Sequence, residues 1–306
     1  MQETRRRVLA AIREGPVPGP RLADDLGVSR AAVWKHVEAL REAGFGIDST
    51  DGGYALVAVP EFGGAAVEFG LDAPFEVEYH DSIPSTNTRA RELAAGGATD
   101  VVVLADEQTG GRGRLNREWV APSGGVWLSI VLRPDRPPAQ APIYTLAAAV
   151  ATTRAAREAG VDASIKWPND VLVGDRKLAG ILTEMEGEAD RVAWLVVGIG
   201  VNANVDPGQL VDGATSIRAE AGDVDRRAFT QRLLEEFNAL RADPEAVLPA
   251  WREYAATLGR RVRVDTARRE VVGEAVDVEF PGTLVVETDD GPVRVSAGDC
   301  EHLRPA

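Results

Sequence analysis

The pattern of apolar residues changes twice along this chain, near residues 57 and 259, and each change limits what the chain can fold into. The first part has helical periodicity, the middle mixes long strands with helices, and the last consists of short alternating strands separated by PG, DDG and AG turns. A chain of 306 residues is long enough for two or three domains. We therefore predict an α+β protein with domains at residues 1–60, 61–258 and 259–306, in which residues 61–74 are a Pro/Gly-rich linker.

The N-terminal segment is typical of a winged helix-turn-helix. Its second helix is short and ends at Gly27, and the third begins at Ser29, a favoured N-cap residue. Alternating residues around a DGG turn then predict a two-stranded wing. The residues expected to face the core are Val8, Leu9, Ile12, Leu22, Ala23, Leu26, Val33, Val37 and Leu40.

The same segment is electrically neutral in a strongly acidic chain. Residues 1–56 hold eight basic and eight acidic residues, whereas the whole chain has a formal charge of −14. Ser29, Arg30, Lys35 and His36, at or near the start of the third helix, are the candidate contacts to DNA phosphates or base edges. For each of them singly, a solvated helix face is an equally good interpretation.

The middle of the chain predicts a mixed or largely antiparallel sheet. Strands crowd together between helices at 141–160 and 226–242 instead of alternating with them, which argues against a doubly wound parallel sheet. GIGVNA fits a dinucleotide-binding pattern, but Pro207 and Gly208 follow at once and prevent the helix which that pattern must open. A phosphate-binding GxxxxGK[ST] loop is absent from the sequence.

Two arginines alternate with glycines in GGRGR, at residues 110–114, between two predicted strands. Glycines let a loop approach a ligand closely, and guanidinium groups bind carboxylates and phosphates through two parallel hydrogen bonds. Arg112 and Arg114 are therefore candidate anion-binding residues. An ordinary mobile loop is the alternative.

Lysine is scarce, with three lysines among 34 basic residues, and two of them lie in KWPNDVLVGDRK. The GDRK turn of a predicted hairpin returns Lys177 to the next strand, where its compact charge suits a polyphosphate. Asp170 is a candidate Mg²⁺ ligand, since Mg²⁺ favours one or two carboxylates together with phosphate oxygens. Capping of the turn by Asp170 is an equally good interpretation.

Five motifs occur in an order that resembles the bifunctional biotin–protein ligase/biotin repressor family. They are STN at 85–87, GRGR at 111–114, KWPND at 166–170, DRKLAGIL at 175–182 and GIGVN at 198–202. The resemblance covers essentially the whole chain. It implies a winged helix-turn-helix, a class II synthetase-like biotin/lipoate ligase domain built on a mixed sheet, and a small SH3-like β-barrel at the C-terminus.

The family resemblance implies that the chain joins biotin to ATP, forms biotinyl-5′-AMP and releases pyrophosphate, with Mg²⁺ expected. Biotin then passes to a lysine of the biotin carboxyl carrier domain of a carboxylase. Arg112, Arg114 and Lys177 are the implied catalytic residues. The implied biotin-binding set is Ser85, Thr86, Asn87, Gln108, Arg112, Gly113, Arg114, Lys177 and Gly180. The implied ATP or adenylate set is Arg114, Arg117, Trp119, Asn169, Lys177 and Asn202.

The resemblance also implies regulation. In the family, adenylate-loaded protein forms a homodimer that binds an operator of biotin genes. A cytoplasmic location agrees with a single cysteine, Cys300, and the sequence lacks the run of about 18 apolar residues that a membrane span needs. One departure from the family pattern is GRGRLNREW, where Asn116 replaces a glycine.

Two other functions remain as alternatives. A repressor that senses biotin without chemistry would need no cations for phosphate, so the three candidate cations argue against it. A lipoate or octanoyl ligase shares the fold of the catalytic domain, but GRGR and KWPND favour biotin.

Overall fold

The computed structural model describes residues 1–187 and 190–303. The chain divides into two compact units, Met1–Asp72 and Ala73–Ala306. Among the described residues, no helix is both long and apolar enough to cross a membrane.

The first unit contains helices α1 (Glu3–Ile12), α2 (Gly19–Leu26) and α3 (Arg30–Glu42), followed by the antiparallel strands β1 (Gly46–Thr50) and β2 (Gly53–Ala58). Helix α2 ends in a glycine with φ 68°, a left-handed conformation that costs glycine little. The side chain of the residue before α3 accepts a hydrogen bond of 3.2 Å from the amide three positions on, as an N-cap does. The predicted helix-turn-helix with a two-stranded wing is confirmed.

The core of this unit consists of the residues that helical periodicity selects. Val8, Leu9, Ile12, Leu22, Ala23, Val33, Val37 and Leu40 are buried, together with Phe45 and Ile47. Leu26 is partly buried and packs against the same cluster.

The predicted linker contains a short helix, α4 (Gly64–Glu68), and differs in that respect from the expectation. Ala65 and Phe69 pack against the helix-turn-helix core, and the ring of Phe69 meets Phe45 edge-on at 5.8 Å. The Glu68 carboxylate also accepts a hydrogen bond of 3.3 Å from Arg6. The first compact unit, Met1–Asp72, therefore includes most of the segment predicted as a linker.

A seven-stranded mixed sheet forms the centre of the second unit. Its strand order is β3-β4-β5-β9-β8-β7-β6, and within residues 1–187 and 190–303 only the β3–β4 pair is parallel. This arrangement confirms the mixed sheet expected from the sequence. In chain order the elements are β3 (Glu76–Ile83), α5 (Thr86–Ala95), β4 (Val101–Gln108), β5 (Val126–Leu132), α6 (Pro142–Glu158), β6 (Ala163–Lys166), β7 (Asp170–Val173), β8 (Arg176–Gly187), β9 (Val192–Val201), α7 (Ile217–Ala221), α8 (Arg226–Ala242) and α9 (Val247–Tyr254).

The register of the central strands brings glycines next to the start of α5. Ser129 of β5 pairs with Gly198 of β9, which in turn pairs with Leu182 of β8. Two residues further on, Gly200 pairs with Gly180. Because glycine has no side chain, this part of the sheet leaves room above the backbone for other groups.

The C-terminal segment folds into a five-stranded antiparallel sheet with the order β13-β12-β11-β10-β14. A small barrel was expected here, but no pairing of the two edge strands β13 and β14 is found in the described part of the chain. The structure thus supports the antiparallel strands and leaves the sheet open. The strands are β10 (Arg261–Asp265), β11 (Glu270–Glu279), β12 (Thr283–Thr288), β13 (Gly291–Val295) and β14 (Asp299–His302).

Candidate functional site

A cavity of about 240 Å³ in the second unit collects nearly all the predicted ligand-binding residues. They come from the start of α5, the end of β4, the loop before β5, the β7–β8 hairpin and the neighbouring strands. Those that line it are Ser85, Thr86, Asn87, Gln108, Arg112, Gly113, Arg114, Arg117, Trp119, Asn169, Asp170, Lys177 and Gly180.

The N-terminus of α5 supplies a hydrogen-bonded set of small polar side chains. Ser85 is the N-cap and accepts from the amide of Thr88 at 3.3 Å. The amide of Thr86 donates to Oε1 of Gln108 at 2.8 Å, and the Thr86 hydroxyl lies 3.0 Å from the same oxygen. These contacts fix the Gln108 amide group beside the cavity.

Three glycines of the sheet are close to side chains of the site. A Cβ atom on Gly198 would lie 2.1 Å from Oδ1 of Asn87, and one on Gly200 would lie 2.9 Å from Nε1 of Trp119. A Cβ on Gly180 would meet the Trp119 ring at 3.1 Å. The clearance that these glycines provide is therefore used by the protein's own Asn87 and Trp119.

The GGRGR loop is folded back on itself. The amide of Trp119 donates to the carbonyl of Gly111 at 3.0 Å, and the amide of Gly113 donates to the carbonyl of Arg117 at 2.8 Å. Leu115 takes the left-handed conformation at the tip, with φ 54°, which is uncommon for a bulky residue. The side chain of Asn116, the departure from the family pattern, lies outside the described part of the structure.

Two arginines of this loop are tied to the C-terminal sheet. Arg114 donates from Nη1 to Oδ1 of Asn169 at 3.0 Å and from Nη2 to the carbonyl of Gly298 at 2.7 Å. Arg117 forms an ion pair with Asp299, and this hydrogen bond lowers the pKa of the Asp299 carboxyl. Contacts within the protein thus hold both guanidinium groups in place without a ligand.

Arg112 differs from Arg114 and Arg117 in the contacts of its side chain. Its side chain is exposed at the cavity, and within the described residues its guanidinium group forms no hydrogen bond or ion pair. A guanidinium group that the described residues leave unpaired is available to an anionic ligand.

Lys177 lies between an acid and an aromatic ring. Its Nζ atom is 2.6 Å from Oδ1 of Asp170 and 5.2 Å from the centre of the Trp119 ring. The contact with Asp170 is an ion pair without hydrogen-bond alignment, since the buried Asp170 Oδ1 atom has no hydrogen-bond partner among the described residues. The ring face adds a second attraction for the ammonium group.

The charges around the cavity favour an anion. Among the described residues, the cavity is lined by four cations, those of Arg112, Arg114, Arg117 and Lys177, and by three carboxylates, those of Glu118, Asp170 and Asp299. Four positive charges less three negative ones leave a surplus of one. This surplus occurs in a chain whose net charge is −14.

The described side chains do not by themselves form a site for a resident Mg²⁺ ion. Within the described residues, no group of three His, Cys, Asp or Glu side chains is placed to hold a metal. Oδ1 of Asp170, the predicted ligand atom, lies against the ammonium group of Lys177, which would repel a cation.

Asn202 is the one predicted adenylate residue that lies outside the main cavity. It is buried, and its Nδ2 donates to the carbonyl of Thr215 at 2.9 Å. It lines an adjoining cavity of about 170 Å³ that shares Trp119 and Lys177 with the first. The adjoining cavity also contains Leu210 and Val211, apolar residues that no sequence motif had selected.

The DNA-contact candidates lie on the first unit. Arg30 and Lys35 are exposed on α3, His36 is half-buried, and Ser29 is used as the cap of the helix. Trp34 lies between them with 55% of its surface exposed, and it was missing from the candidates chosen by sequence. An exposed tryptophan beside two cations is a feature that periodicity alone could have located.

The matches to known families agree with these units. Residues 79–202 match the biotin/lipoate A/B protein ligase family, residues 4–55 match a helix-turn-helix domain, and residues 257–303 match the biotin protein ligase C-terminal domain.

Several known proteins are similar to the chain over most of its length. The bifunctional ligase/repressor BirA of Bacillus subtilis is 38% identical over 93% of both chains, and that of Escherichia coli is 30% identical over 94% of this chain and 93% of its own. The biotin–[acetyl-CoA-carboxylase] ligase of Paracoccus denitrificans is 36% identical over 70% of this chain and 95% of its own. Among solved structures, the Aquifex aeolicus biotin protein ligase in complex with biotin and ATP aligns with a TM-score of 0.64 at 25% identity, covering 74% of this chain and 99% of that one.

Proposed function

We propose a function from the premise that this chain belongs to the family of bifunctional biotin–protein ligase/repressors, to whose Bacillus subtilis member it is 38% identical over 93% of both chains. The chain is an ATP-dependent biotin–protein ligase, and its helix-turn-helix unit makes it a biotin-responsive repressor as well. The observation that carries the ligase activity is one cavity lined both by four cations and by a hydrogen-bonded set of small polar side chains.

The first reaction joins two anions. An oxygen of the biotin carboxylate attacks the α-phosphorus of ATP, the bond to the β-phosphate oxygen breaks, and pyrophosphate leaves with the electron pair. Fixed positive charges are needed where the carboxylate meets the triphosphate, because in their absence the two reactants repel each other. Arg112 is assigned to this meeting point, with Arg114 and Lys177 beside it, since all three line the cavity.

The polar side chains are assigned to the ureido ring of biotin. Thr86, Asn87 and Gln108 offer hydroxyl and amide groups, and a ureido ring has one acceptor oxygen and two N–H donors. Ser85 and Gly113 border the same cavity, and Gly180 keeps the backbone of β8 clear of it.

The adenylate is assigned to the region where the two cavities meet. Trp119 and Lys177 line both, and Asn202 lies in the second. The Trp119 ring offers a surface on which an adenine can stack, and Arg117 and Asn169 lie on the side of the phosphates. The same walls limit the access of water to a mixed anhydride.

The second reaction transfers biotin to the carrier. The amine of one lysine of a biotin carboxyl carrier domain attacks the carbonyl carbon, AMP leaves, and the nitrogen loses a proton. The cations that bind the α-phosphate in the first step also stabilise AMP as the leaving group.

Regulation is assigned to the first unit. Arg30 and Lys35 on α3 suit DNA phosphates or base edges, and Ser29 and His36 flank them. Adenylate-loaded protein that meets no carrier forms a homodimer, and two such units then bind the two half-sites of an operator.

The central domain is related to class II synthetases, and the C-terminal sheet corresponds to the strands of an SH3-like barrel whose edge strands β13 and β14 are left unpaired in the described part of the chain. Mg²⁺ would be held by the phosphates of ATP and would neutralise part of their charge, since the contact of Lys177 with Asp170 disfavours an ion bound by the protein alone. A cytoplasmic location gives the chain access to ATP and to its carrier.

The test uses full-length protein with biotin and ATP, and measures pyrophosphate release and then the labelling of a carrier domain. Wild type should form pyrophosphate, and Arg112→Ala should form it about 10²-fold more slowly, the usual effect of removing one donor to a developing charge. Arg268→Ala, an exposed arginine far along the chain, is the matched control. A protein that binds biotin but releases no pyrophosphate would be a sensor without chemistry, and one that labels the carrier with lipoate in preference to biotin would be a lipoate ligase.

A further inference from the structure

A chain of hydrogen bonds runs behind the polar side chains assigned to biotin and ends on a carboxylate. Oε2 of Glu184, on β8, accepts from Nδ2 of Asn87 at 2.8 Å, and Oε1 accepts from Nη1 of Arg91 at 3.1 Å. Glu184 and Ser129 are not found among the described residues that line the 240 Å³ cavity. They contact Asn87, which lines the cavity, from the side away from it.

The carboxylate makes the shorter of the two hydrogen bonds that the Asn87 NH₂ group donates, and it fixes the orientation of the Asn87 amide together with the Leu182 carbonyl. A carboxylate has acceptor oxygens only, so the NH₂ group of Asn87 must point toward Glu184. The second hydrogen of this group is directed to the carbonyl of Leu182, at 3.3 Å. Both hydrogens of the Asn87 amide are therefore used by β8, and its Oδ1 atom points the other way, over Gly198.

Ser129 connects Asn87 to Thr86 in this chain of hydrogen bonds. Its buried hydroxyl lies 2.6 Å from Oδ1 of Asn87 and 2.8 Å from Oγ1 of Thr86. Because Oδ1 cannot donate, the single Ser129 proton goes to Asn87. The Thr86 hydroxyl must then donate either to Ser129 or to Gln108, and it keeps a lone pair for a ligand.

Gln108 offers hydrogen-bond donors to the cavity, whereas Asn87 and Thr86 offer acceptors. Its Oε1 atom accepts from the amide of Thr86, which leaves its NH₂ group for a ligand. Toward the cavity, the site thus offers acceptor oxygens from Asn87 and Thr86 and donor hydrogens from Gln108. This set is complementary to a ureido ring, whose two N–H groups need acceptors and whose carbonyl needs a donor.

We infer that Glu184 is a positioning residue that sets the polarity of the site: through Asn87 it presents an acceptor to a ureido N–H and so selects cyclic ureas. The inference rests on the proposed function, because it takes biotin as the ligand. Glu184 does not contact the ligand, and its effect on specificity operates through the orientation of a neighbouring amide.

The deciding variant is Glu184→Gln, which keeps the size of the side chain but can donate as well as accept. Asn87 is then free to turn its NH₂ group toward the cavity. We expect the Kd for biotin to rise about tenfold, as the loss of one hydrogen bond to a ligand requires. The Kd for an analogue in which oxygen replaces one ureido N–H should rise less or fall, so that discrimination between the two ligands decreases.

A double variant tests the same idea by restoring the acceptor. In Glu184→Gln combined with Asn87→Asp, the glutamine donates to one oxygen of the new carboxylate and the other oxygen faces the cavity. Discrimination should return toward the wild-type ratio. Asn87→Asp alone places the new carboxylate against that of Glu184. This single variant should bind biotin more weakly than Glu184→Gln alone and more weakly than the double variant.

Arg91→Gln is the matched control, since it removes the other partner of Glu184 and leaves the carboxylate beside Asn87. Isothermal calorimetry with biotin and the oxygen analogue gives the Kd values, and thermal unfolding reports the stability of each variant. The Arg91 variant should discriminate as wild type does. Unchanged discrimination in Glu184→Gln, or an equal loss of affinity for both ligands, would overturn the inference and leave Glu184 a structural residue. A wild-type protein that does not bind biotin would instead remove the proposed function.

Discussion

The Nη1 atom of Arg114 lies 3.0 Å from Oδ1 of Asn169, so the GRGR loop and the KWPND turn are joined although 55 residues separate them. The other end of the same guanidinium group holds the carbonyl of Gly298 at 2.7 Å. One planar side chain thus connects three segments around the cavity, and a flexible ammonium group could not make both contacts with the same geometry.

Replacing Arg114 by lysine should therefore reduce stability as well as activity. We expect the free energy of unfolding to fall by about 1–2 kcal/mol, because a hydrogen bond to a charged group is lost. Urea denaturation measures the change. Arg112→Lys, at an exposed position without a partner in the described part of the protein, should alter it by no more than about 0.5 kcal/mol. Equal stability losses in the two variants would contradict the anchoring role.

Gly198 should tolerate no side chain. In Gly198→Ala the new Cβ would lie 2.1 Å from Oδ1 of Asn87 and would push that amide out of place. The Kd for biotin, measured by calorimetry, should rise about tenfold or more with the loss of this contact. Gly208→Ala is the control, since a Cβ there meets nothing within 4 Å among the described residues. Undiminished binding in the Gly198 variant would show that the ligand does not depend on Asn87.

Trp34 and Lys35 should affect DNA binding in different ways. Trp34→Ala removes an apolar surface that can contact thymine methyl groups, so affinity for a duplex selected by adenylate-loaded protein should fall about tenfold without a change in salt dependence. Lys35→Ala should lower the slope of affinity against salt by about one, as the loss of one phosphate contact does. Fluorescence anisotropy over a range of salt concentrations separates the two effects. Both variants should label the carrier at the wild-type rate, and identical salt slopes in all three proteins would argue against a phosphate contact by Lys35.

His302 makes stability depend on pH. Burial lowers the pKa of His302 from its ordinary value of 6.5 to about 4, and its ring nitrogen lies 3.0 Å from the Thr257 hydroxyl. The unfolded chain takes up the proton first, so the contribution of the neutral ring is complete above pH 6.5 and is lost as the pH falls toward 4. The stability advantage of wild type over His302→Gln should therefore shrink across that interval in urea denaturation. A difference that stays constant from about pH 8 down to pH 4 would refute this.

Much of the architecture could be predicted from local patterns. Strands β4, β5 and β9 and helix α8 begin and end where the apolar runs do, and the two arginines and the lysine lie at one cavity as their motifs suggested. Glycine and proline mark the ends of these elements clearly, because they act on the backbone of their own residues.

Contacts between distant segments were the part that sequence reasoning could not supply. Glu184 is 97 residues from Asn87, and nothing around GILTEM marks it as different from any other polar position on a half-exposed strand. Asp299 is likewise brought to Arg117 only by the fold of the C-terminal sheet. Helix α4 was missed because a stretch rich in glycine and proline is typical of a linker, whereas Phe69 finds an aromatic partner in the core of the first unit.

Trp167 of the KWPND turn is held by two later parts of the chain: its amide donates to Thr257, just before the C-terminal sheet, at 2.9 Å. Its indole donates to the carbonyl of Gly282, between strands β11 and β12 of that sheet, at 2.9 Å. The two ends of the gene should therefore differ in how well they tolerate recombination. Recombination can exchange the codons for residues 1–72 as a module with its own core, which would give descendants that keep enzyme activity and change their regulation. A breakpoint near codon 258 would separate the indole of Trp167 from the carbonyl of Gly282, so selection should keep that junction intact in every lineage that retains the enzyme.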